Sequence, residues 1–267
     1  MRKISVILVA MACVLFAGNS ARADLRDPGV PDTGSKVIKI CVEERDWYPF
    51  LYAEGRQARG ILVDMAKEAV ARAGFSMEVE PFPLKRCIKL AEHGRVDGVA
   101  AIPYSKQFAR FLEYPAGAAV DKESPWRIMQ IDQVVVTFSG NDFEFDGDLR
   151  TLPQPVRVPF NDPIGVTLKQ AGLETEEAKT DRQNVAKLIR DRKGSVITTT
   201  VTAETLAQDE SFRGMIEIQA VPLRSRSYFL SFSWKSSLSE FERRKIWEEL
   251  ERLRSDYVFM LQLLAQY

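Results

Sequence analysis

Histidine is almost missing from this sequence. His93 is the only one among 267 residues, and a single imidazole cannot build a histidine-based metal site. No glycine-rich phosphate loop and no nucleophile–base pair is present, so the motifs point away from catalysis. An excess of one charge is missing as well: 37 Lys and Arg stand against 37 Asp and Glu, which leaves no basic surplus for nucleic acid. Beyond the first two dozen residues, no apolar run approaches the roughly 20 residues that span a bilayer. These absences predict a protein with no metal, no cofactor, no nucleic-acid partner and no enzymatic activity.

The first residues do carry information. Met1-Arg2-Lys3 opens the chain, Ile4 to Gly18 is nearly continuous apolar sequence, and Ala21-Arg22-Ala23 follows. A positive start, a short apolar core and an A-x-A site read as a secretory signal peptide over residues 1–23, cut after Ala23, with Cys13 inside the discarded segment. The remaining 244 residues lose Arg2, Lys3 and Arg22, leaving 34 basic against 37 acidic side chains and a formal charge of −3. The expected location is the periplasm. That compartment permits disulfides, and the two cysteines left, Cys41 and Cys87, make an even pair. Two buried free thiols are the alternative. With 45 % apolar residues the chain can bury a normal core, as one large domain or two ordinary lobes.

Periodicity favours two lobes. Residues 24–36, rich in Pro and Gly, read as a flexible leader. Val37 to Val42 reads as a buried strand. Residues 60–73 place Ile61, Leu62, Met65, Ala69 and Val70 on one helical face, with Gly74 as the stop. Met77 and Val79 alternate with Glu78 and Glu80 in a second strand, Leu84 to Glu92 is a short helix whose end His93 caps, and Val96 to Ile102 is a third strand. Strand–helix–strand–helix–strand is the signature of a parallel sheet with crossover helices.

The same order then repeats. Gln133 to Phe138 and Val156 to Phe160 are strands, and Asp162-Pro163 opens a helix as N-cap and first-turn proline. A strand near Glu174 to Ala178, a helix from Asp181 to Arg192 and a strand from Ser195 to Thr199 complete the second copy. Tyr228 to Ser233 carries the chain back. The tail from Ser239 to Gln266 reads as one long amphipathic stretch, with Phe241, Ile246, Trp247, Leu250, Leu253, Tyr257 and Met260 near one face and Glu248, Glu249 and Arg252 on the solvated side. Two α/β lobes joined by two crossings imply a cleft at the carboxyl ends of their strands, where open α/β sheets bind ligands. The lobes are expected at 37–133 with 228–267, and at 134–227. The expected hinges lie near Val134–Thr137 and Phe229–Ser231.

"VIKICVEERDWYPF", "GILVDMAKEAVARAGF", "GRVDGVAAIPYS", the stretch ending "EYP" and "SYFLSFS" before the final helix occur in the order and spacing of a known family. Over residues 36–267 the chain resembles the periplasmic solute-binding proteins of the polar-amino-acid type, the family 3 extracellular receptors of bacterial importers. The resemblance implies the type II two-lobed fold, each lobe a parallel-rich α/β sheet flanked by helices. It also implies a monomer that closes on a small-molecule ligand and docks a membrane permease. A sensory or accessory protein that docks a separate membrane partner is the alternative, and a dehydratase-like enzyme on the same fold the remote one.

In that family the third strand leads into Ser/Thr-x-x-Arg, whose arginine holds the ligand's α-carboxylate through a bidentate pair. Ser105 and Pro115 keep the family spacing here, but position 108 is Phe. Arg110, two residues on and about 200° around a helix, would point elsewhere. In the second lobe Asn161-Asp162-Pro163 replaces the small residues whose N–H groups help hold an anion, and Thr198, Thr199 and Thr200 stand where an aspartate often takes the α-amino group. Both anchors of an α-amino acid are therefore missing, so the expected ligand is less anionic, aromatic or amine-bearing. The candidate ligand residues are Glu44, Trp47, Tyr48, Arg86, Tyr104, Ser105, Phe108, Asp162 and Thr199. Trp47 and Tyr48 offer rigid stacking area, Glu44 and its neighbour Arg45 offer charge, and Arg86 is the substitute for the missing arginine. Asp97 is expected to organise its turn.

Overall fold

The computed structural model describes residues 35–44, 47–55, 57–120, 124–160 and 162–267. The expected signal peptide, leader residues 24–34 and Arg45 lie outside the described residues. The first half contains β1 (Val37–Glu43), a hairpin of β2 (Tyr52–Glu54) and β3 (Gln57–Arg59), α1 (Ile61–Arg72), β4 (Ser76–Phe82), α2 (Leu84–Glu92), β5 (Gly98–Pro103) and the two-residue β6 (Leu112–Glu113). The long strand β7 (Met129–Phe138) leads to β8 (Val156–Pro159), α3 (Pro163–Gln170), β9 (Thr175–Ala178), α4 (Asp181–Asp191), β10 (Ser195–Thr199), α5 (Thr200–Gln208) and β11 (Ile216–Ile218). The second long strand, β12 (Arg224–Ser233), returns the chain to α6 (Glu240–Ser255) and α7 (Tyr257–Leu264).

The topology is one motif used twice. The sheet runs β4-β1-β5-β12-β7-β10-β8-β9. In the first half β4, β1 and β5 are parallel and β12 pairs β5 antiparallel. In the second half β9, β8 and β10 are parallel and β7 pairs β10 antiparallel. Each half thus takes its fourth strand from a crossing, and the two crossing strands pair with each other.

Alternation places the core. On β1, Ile38, Ile40 and Val42 pack against α1, Leu230 and Phe232, while Cys41 turns to the other side with α2, Val99 and Ile102. The expected Cys41–Cys87 disulfide is present there, with Cα atoms 5.5 Å apart and both residues fully buried. On α1 the buried face is the one read from the sequence, Ile61, Leu62, Met65, Ala69 and Val70 included. Gly60 opens that helix at φ 118°, where a Cβ would overlap the Phe50 carbonyl. Asp97 organises its turn as expected: its carboxylate accepts from Lys39 N at 2.9 Å and from Ser236 Oγ at 2.8 Å. His93 Nδ1 lies 2.7 Å from the Lys89 carbonyl, as a helix-end cap requires.

Several local expectations are corrected. The tail is two helices, because Asp256 leaves helical geometry at ψ 99° and its side chain caps α7 by accepting from Phe259 N at 3.0 Å. Phe241 and Tyr257 are exposed rather than on the packed face, and Glu249 is buried with its carboxylate on Arg252. A helix, α5, follows β10 at once, in a threonine run whose β-branched residues disguised it. The crossing strands are each longer than their apolar runs. Val134–Val136 already pair with β10, and Phe229 and Ser231 already pair with β5. The segments in which β7 and β12 pair with each other, Met129–Gln133 and Arg224–Tyr228, adjoin the expected hinges.

Candidate functional site

The carboxyl ends of β1, β4 and β5 and those of β8, β9 and β10 bring the candidate residues to the surface. At the end of β1, the Glu44 N–H donates to the Phe82 carbonyl at 2.8 Å, which ties the loop to the end of β4. Arg86, exposed at the start of α2, stacks its guanidinium over the Phe82 ring at 4.0 Å. Glu44 and Arg86 are therefore neighbours at one end of the sheet.

The next turn is built on Trp47. Its carbonyl accepts from the N–H groups of Phe50 and Leu51 at 2.8 and 2.9 Å, and its own N–H donates to the Leu51 carbonyl at 2.7 Å. The closed turn holds the indole 4.9 Å from the Phe50 ring and 5.1 Å from the Tyr228 ring, so Trp47 is half-buried. Tyr48 faces out, and its hydroxyl donates to the Tyr267 carbonyl.

After β5, Tyr104 packs edge-on to Tyr114 at 5.2 Å, and Tyr114 donates to the Pro103 carbonyl at 3.0 Å. Burial pushes the Tyr114 phenol well above its ordinary range. Ser105 Oγ accepts from Gln107 N at 3.3 Å and opens a short 3-10 turn, Phe108–Arg110. Phe108, a half-buried apolar ring, packs against the cluster around the disulfide. Arg110 is exposed, its guanidinium 5.8 Å from the Phe111 ring.

In the second half, Asp162 caps α3 by accepting from Ile164 N at 2.9 Å. Its other oxygen accepts from Gln133 Nε2 at 3.4 Å, and Gln133 Oε1 accepts from Arg224 Nη2 at 2.6 Å. Thr199 is buried and caps α5, its Oγ1 2.8 Å from the Thr202 hydroxyl. Open hollows of about 660 and 240 Å³ lie beside these ends, one at Phe160, Lys179 and Lys187, the other at Tyr104, Tyr114 and Trp234.

Sequence reasoning missed the polar ribbon between the halves. Gln130, Asp132, Ser225 and Ser227 share one of its faces: Ser225 bonds Asp132 and Gln130, and Ser227 Oγ donates to Gln130 Oε1 at 2.6 Å. Gln133, Arg224, Arg226 and Tyr228 share the other. The signal was available in "RSRSYF", where Arg and Tyr recur at every second residue.

Among the described residues no group of His, Cys, Asp and Glu could hold a metal ion, and no helix is long and apolar enough to cross a membrane. Two duplicated sheet motifs, joined by paired antiparallel crossings and opening their strand ends toward Trp47 and Asp162, decide the architecture. The chain has the two-lobed periplasmic-binding-protein fold.

Solved structures share that fold across most of their length. The unliganded, open L-cystine solute receptor of Neisseria gonorrhoeae matches with a TM-score of 0.62 at 13 % identity, covering 88 % of this chain and 93 % of that one. The GluR0 ligand-binding core from Nostoc punctiforme, in complex with L-glutamate, matches with a TM-score of 0.59 at 14 % identity, covering 86 % and 98 %. A histidine kinase sensor domain with similarity to periplasmic binding proteins matches with a TM-score of 0.58 at 14 % identity, covering 87 % and 96 %. No family model and no curated protein matches the sequence.

Proposed function

We propose that this chain is a family 3 periplasmic solute-binding protein that closes on a small molecule other than a standard α-amino acid and presents it to a membrane importer. The observation that carries the reading is Phe108: the position that resembles the family's carboxylate clamp holds a ring packed against the disulfide cluster. Asp162 supports it from the other side, because one oxygen caps α3 and the other meets Gln133, which leaves a negative rather than an anion-accepting helix start. Trp47, Tyr48, Tyr104 and Ser105 supply the first-lobe wall, with Glu44 and Arg86 at its rim and Asp162 and Thr199 opposite. The lobes are 37–133 with 228–267, and 134–227, and closure turns about the β7/β12 ribbon. Export through the 1–23 signal peptide and action as a monomer belong to this reading.

The sensor domain among the structural neighbours favours a second reading, in which the same closure signals to a separate membrane kinase and nothing is delivered. Both readings are tested by a thermal-shift screen of residues 24–267, purified without reductant, against amino acids, polyamines, aromatic acids and small sugars. A ligand at 100 times its Kd adds about 2.7 kcal/mol, or roughly 5–10 °C at this size. A shift with ordinary α-amino acids overturns the ligand reading. Reconstitution with the permease or kinase encoded beside the gene then separates import from sensing.

A further inference from the structure

The hairpin of β2 and β3 forms a two-stranded sheet of its own, three residues to each strand. A lone hairpin of that size is marginal in water, so packing from elsewhere must hold it. The Trp47 turn leads into this hairpin. Three main-chain bonds among Trp47, Phe50 and Leu51 close the turn, yet Tyr48 within it is half exposed.

One side chain from far along the sequence meets the whole segment. Tyr267 follows α7, with its N–H on the Leu264 carbonyl at 3.3 Å. Its ring stands edge-on to Tyr48 at 6.3 Å and to Tyr52 at 6.4 Å, and those two rings lie 5.4 Å apart. Its carbonyl accepts from the Tyr48 hydroxyl. Its own hydroxyl donates to the Asp64 carboxylate in the first turn of α1, a charge-assisted bond of the stronger kind. Burial, and then the Asp64 carboxylate, push the Tyr267 phenol well above its ordinary range, so the hydroxyl stays a donor. Tyr48, Tyr52 and Asp64 belong to three successive elements: the turn, the hairpin and the helix. A residue 203 positions from Asp64 and 219 from Tyr48 gathers them.

Trp47 occupies the same turn, its indole against Phe50 and Tyr228. Trp47 and Tyr48 are adjacent, so what fixes Tyr48 also fixes the backbone that aims the indole. Resting on the binding-protein reading above, we propose that Tyr267 is a positioning residue for the ligand wall. It ties Tyr48 and Tyr52 to α1 through Asp64 and thereby holds the Trp47 turn in its binding geometry. Docking of the tail and binding of a ligand on Trp47 are then linked, each tightening the other by the same factor.

The test reads amide exchange by mass spectrometry on the disulfide-intact, ligand-free protein, comparing residues 47–55 with residues 156–178 of the second half. Tyr267→Ala should speed exchange over 47–55 at least tenfold and leave 156–178 within twofold. Tyr267→Phe and Asp64→Leu should each speed it about threefold, and the double variant no more than either, because one shared bond is lost. Asp64→Asn keeps an acceptor oxygen and should stay near wild type. Acrylamide quenching of Trp47, taken as the difference between each protein and its Trp47→Phe counterpart, should rise in the same order. Unchanged exchange over 47–55 in Tyr267→Ala overturns the assignment, and so does acceleration spread equally over 156–178, the mark of a merely structural tail. Faster exchange with unchanged Trp47 quenching overturns it too, since the tail then holds the hairpin and not the wall. All of these outcomes leave the receptor role standing. Silence across the thermal-shift panel removes that role, and the wall's purpose with it, whatever the exchange rates show.

Discussion

Removing the Cys41–Cys87 bridge should cost this protein much of its stability without altering its cleft. The bond joins β1 to α2 across a sequence separation of 46. Loop-closure entropy for such a loop is about 13–14 cal/mol/K, or about 4 kcal/mol at 25 °C. The sulfurs also fill space among Ile88, Val99, Ile102 and Leu112, and truncating both to alanine forfeits about 1 kcal/mol more of buried surface. A chain of this size loses roughly 2–4 °C in Tm per kcal/mol, so Cys41→Ala/Cys87→Ala should melt about 10–20 °C below the wild type. Two samples separate the causes by calorimetry. Wild type fully reduced keeps its sulfurs and should lie just above the double variant, while the oxidised protein stands well above both. A double variant melting within 3 °C of the oxidised wild type would refute the entropic account. Ligand affinity should be unchanged, since both cysteines belong to the same proposed lobe.

Other perturbations follow from single contacts. Arg157 is fully buried, with Nε 3.1 Å from Glu176, Nη2 2.7 Å from Asp191 and Nη1 donating to the Lys193 carbonyl at 2.9 Å. Arg157→Ala empties a buried site and removes its charge-assisted hydrogen bonds, while Asp191 keeps Arg190 and Glu176 keeps Lys187, and should cost about 3 kcal/mol in urea unfolding; a loss under about 1 kcal/mol would show that the network is worth no more than an exposed ion pair. Gly60→Ala forces a Cβ onto the Phe50 backbone at a φ of 118° and should cost more than about 1 kcal/mol, read as a lower thermal midpoint, whereas Gly172→Ala, with open space around it, should cost less. Tyr114 has a folded pKa raised above the ordinary 10.0 by burial, so its share of stability is complete below pH 10 and drains away as pH rises further. Tyr114→Phe, weaker at neutral pH by about 1 kcal/mol for the lost bond to Pro103, should lose stability more slowly than wild type above about pH 10. Parallel curves would sink that assignment.

Most elements that position the candidate site could be read from the sequence, and the reason is apolar periodicity. Ile61, Leu62, Met65, Ala69 and Val70 mark α1, and Asp162 marks the start of α3, because burial and capping leave local signatures. The two crossings were legible only at their apolar cores, Val134–Val136 and Phe229–Ser233. Their polar ends, 129–133 and 224–228, are held by pairing with each other, a long-range fact that no local window contains. Glu249 was misjudged differently. Helical position alone put it in solvent, while the packing of α6 buries it beside Arg252. Phe108 was legible as a departure from a pattern, but its seat against the disulfide cluster was not.

The exchange of crossing strands also determines how the chain could be divided. β5 is covered on its open side by β12, which arrives after the whole second half has been made, and β10 is covered by β7, which leaves from the first. A fragment ending before β7 would present β5 as a bare strand edge, and a fragment starting after β7 would present β10 in the same way, each a template for pairing with other chains. Neither half is a portable module. During synthesis the first half remains unfinished at its sheet edge until residue 233 has emerged, so that edge stays open to wrong partners the longest.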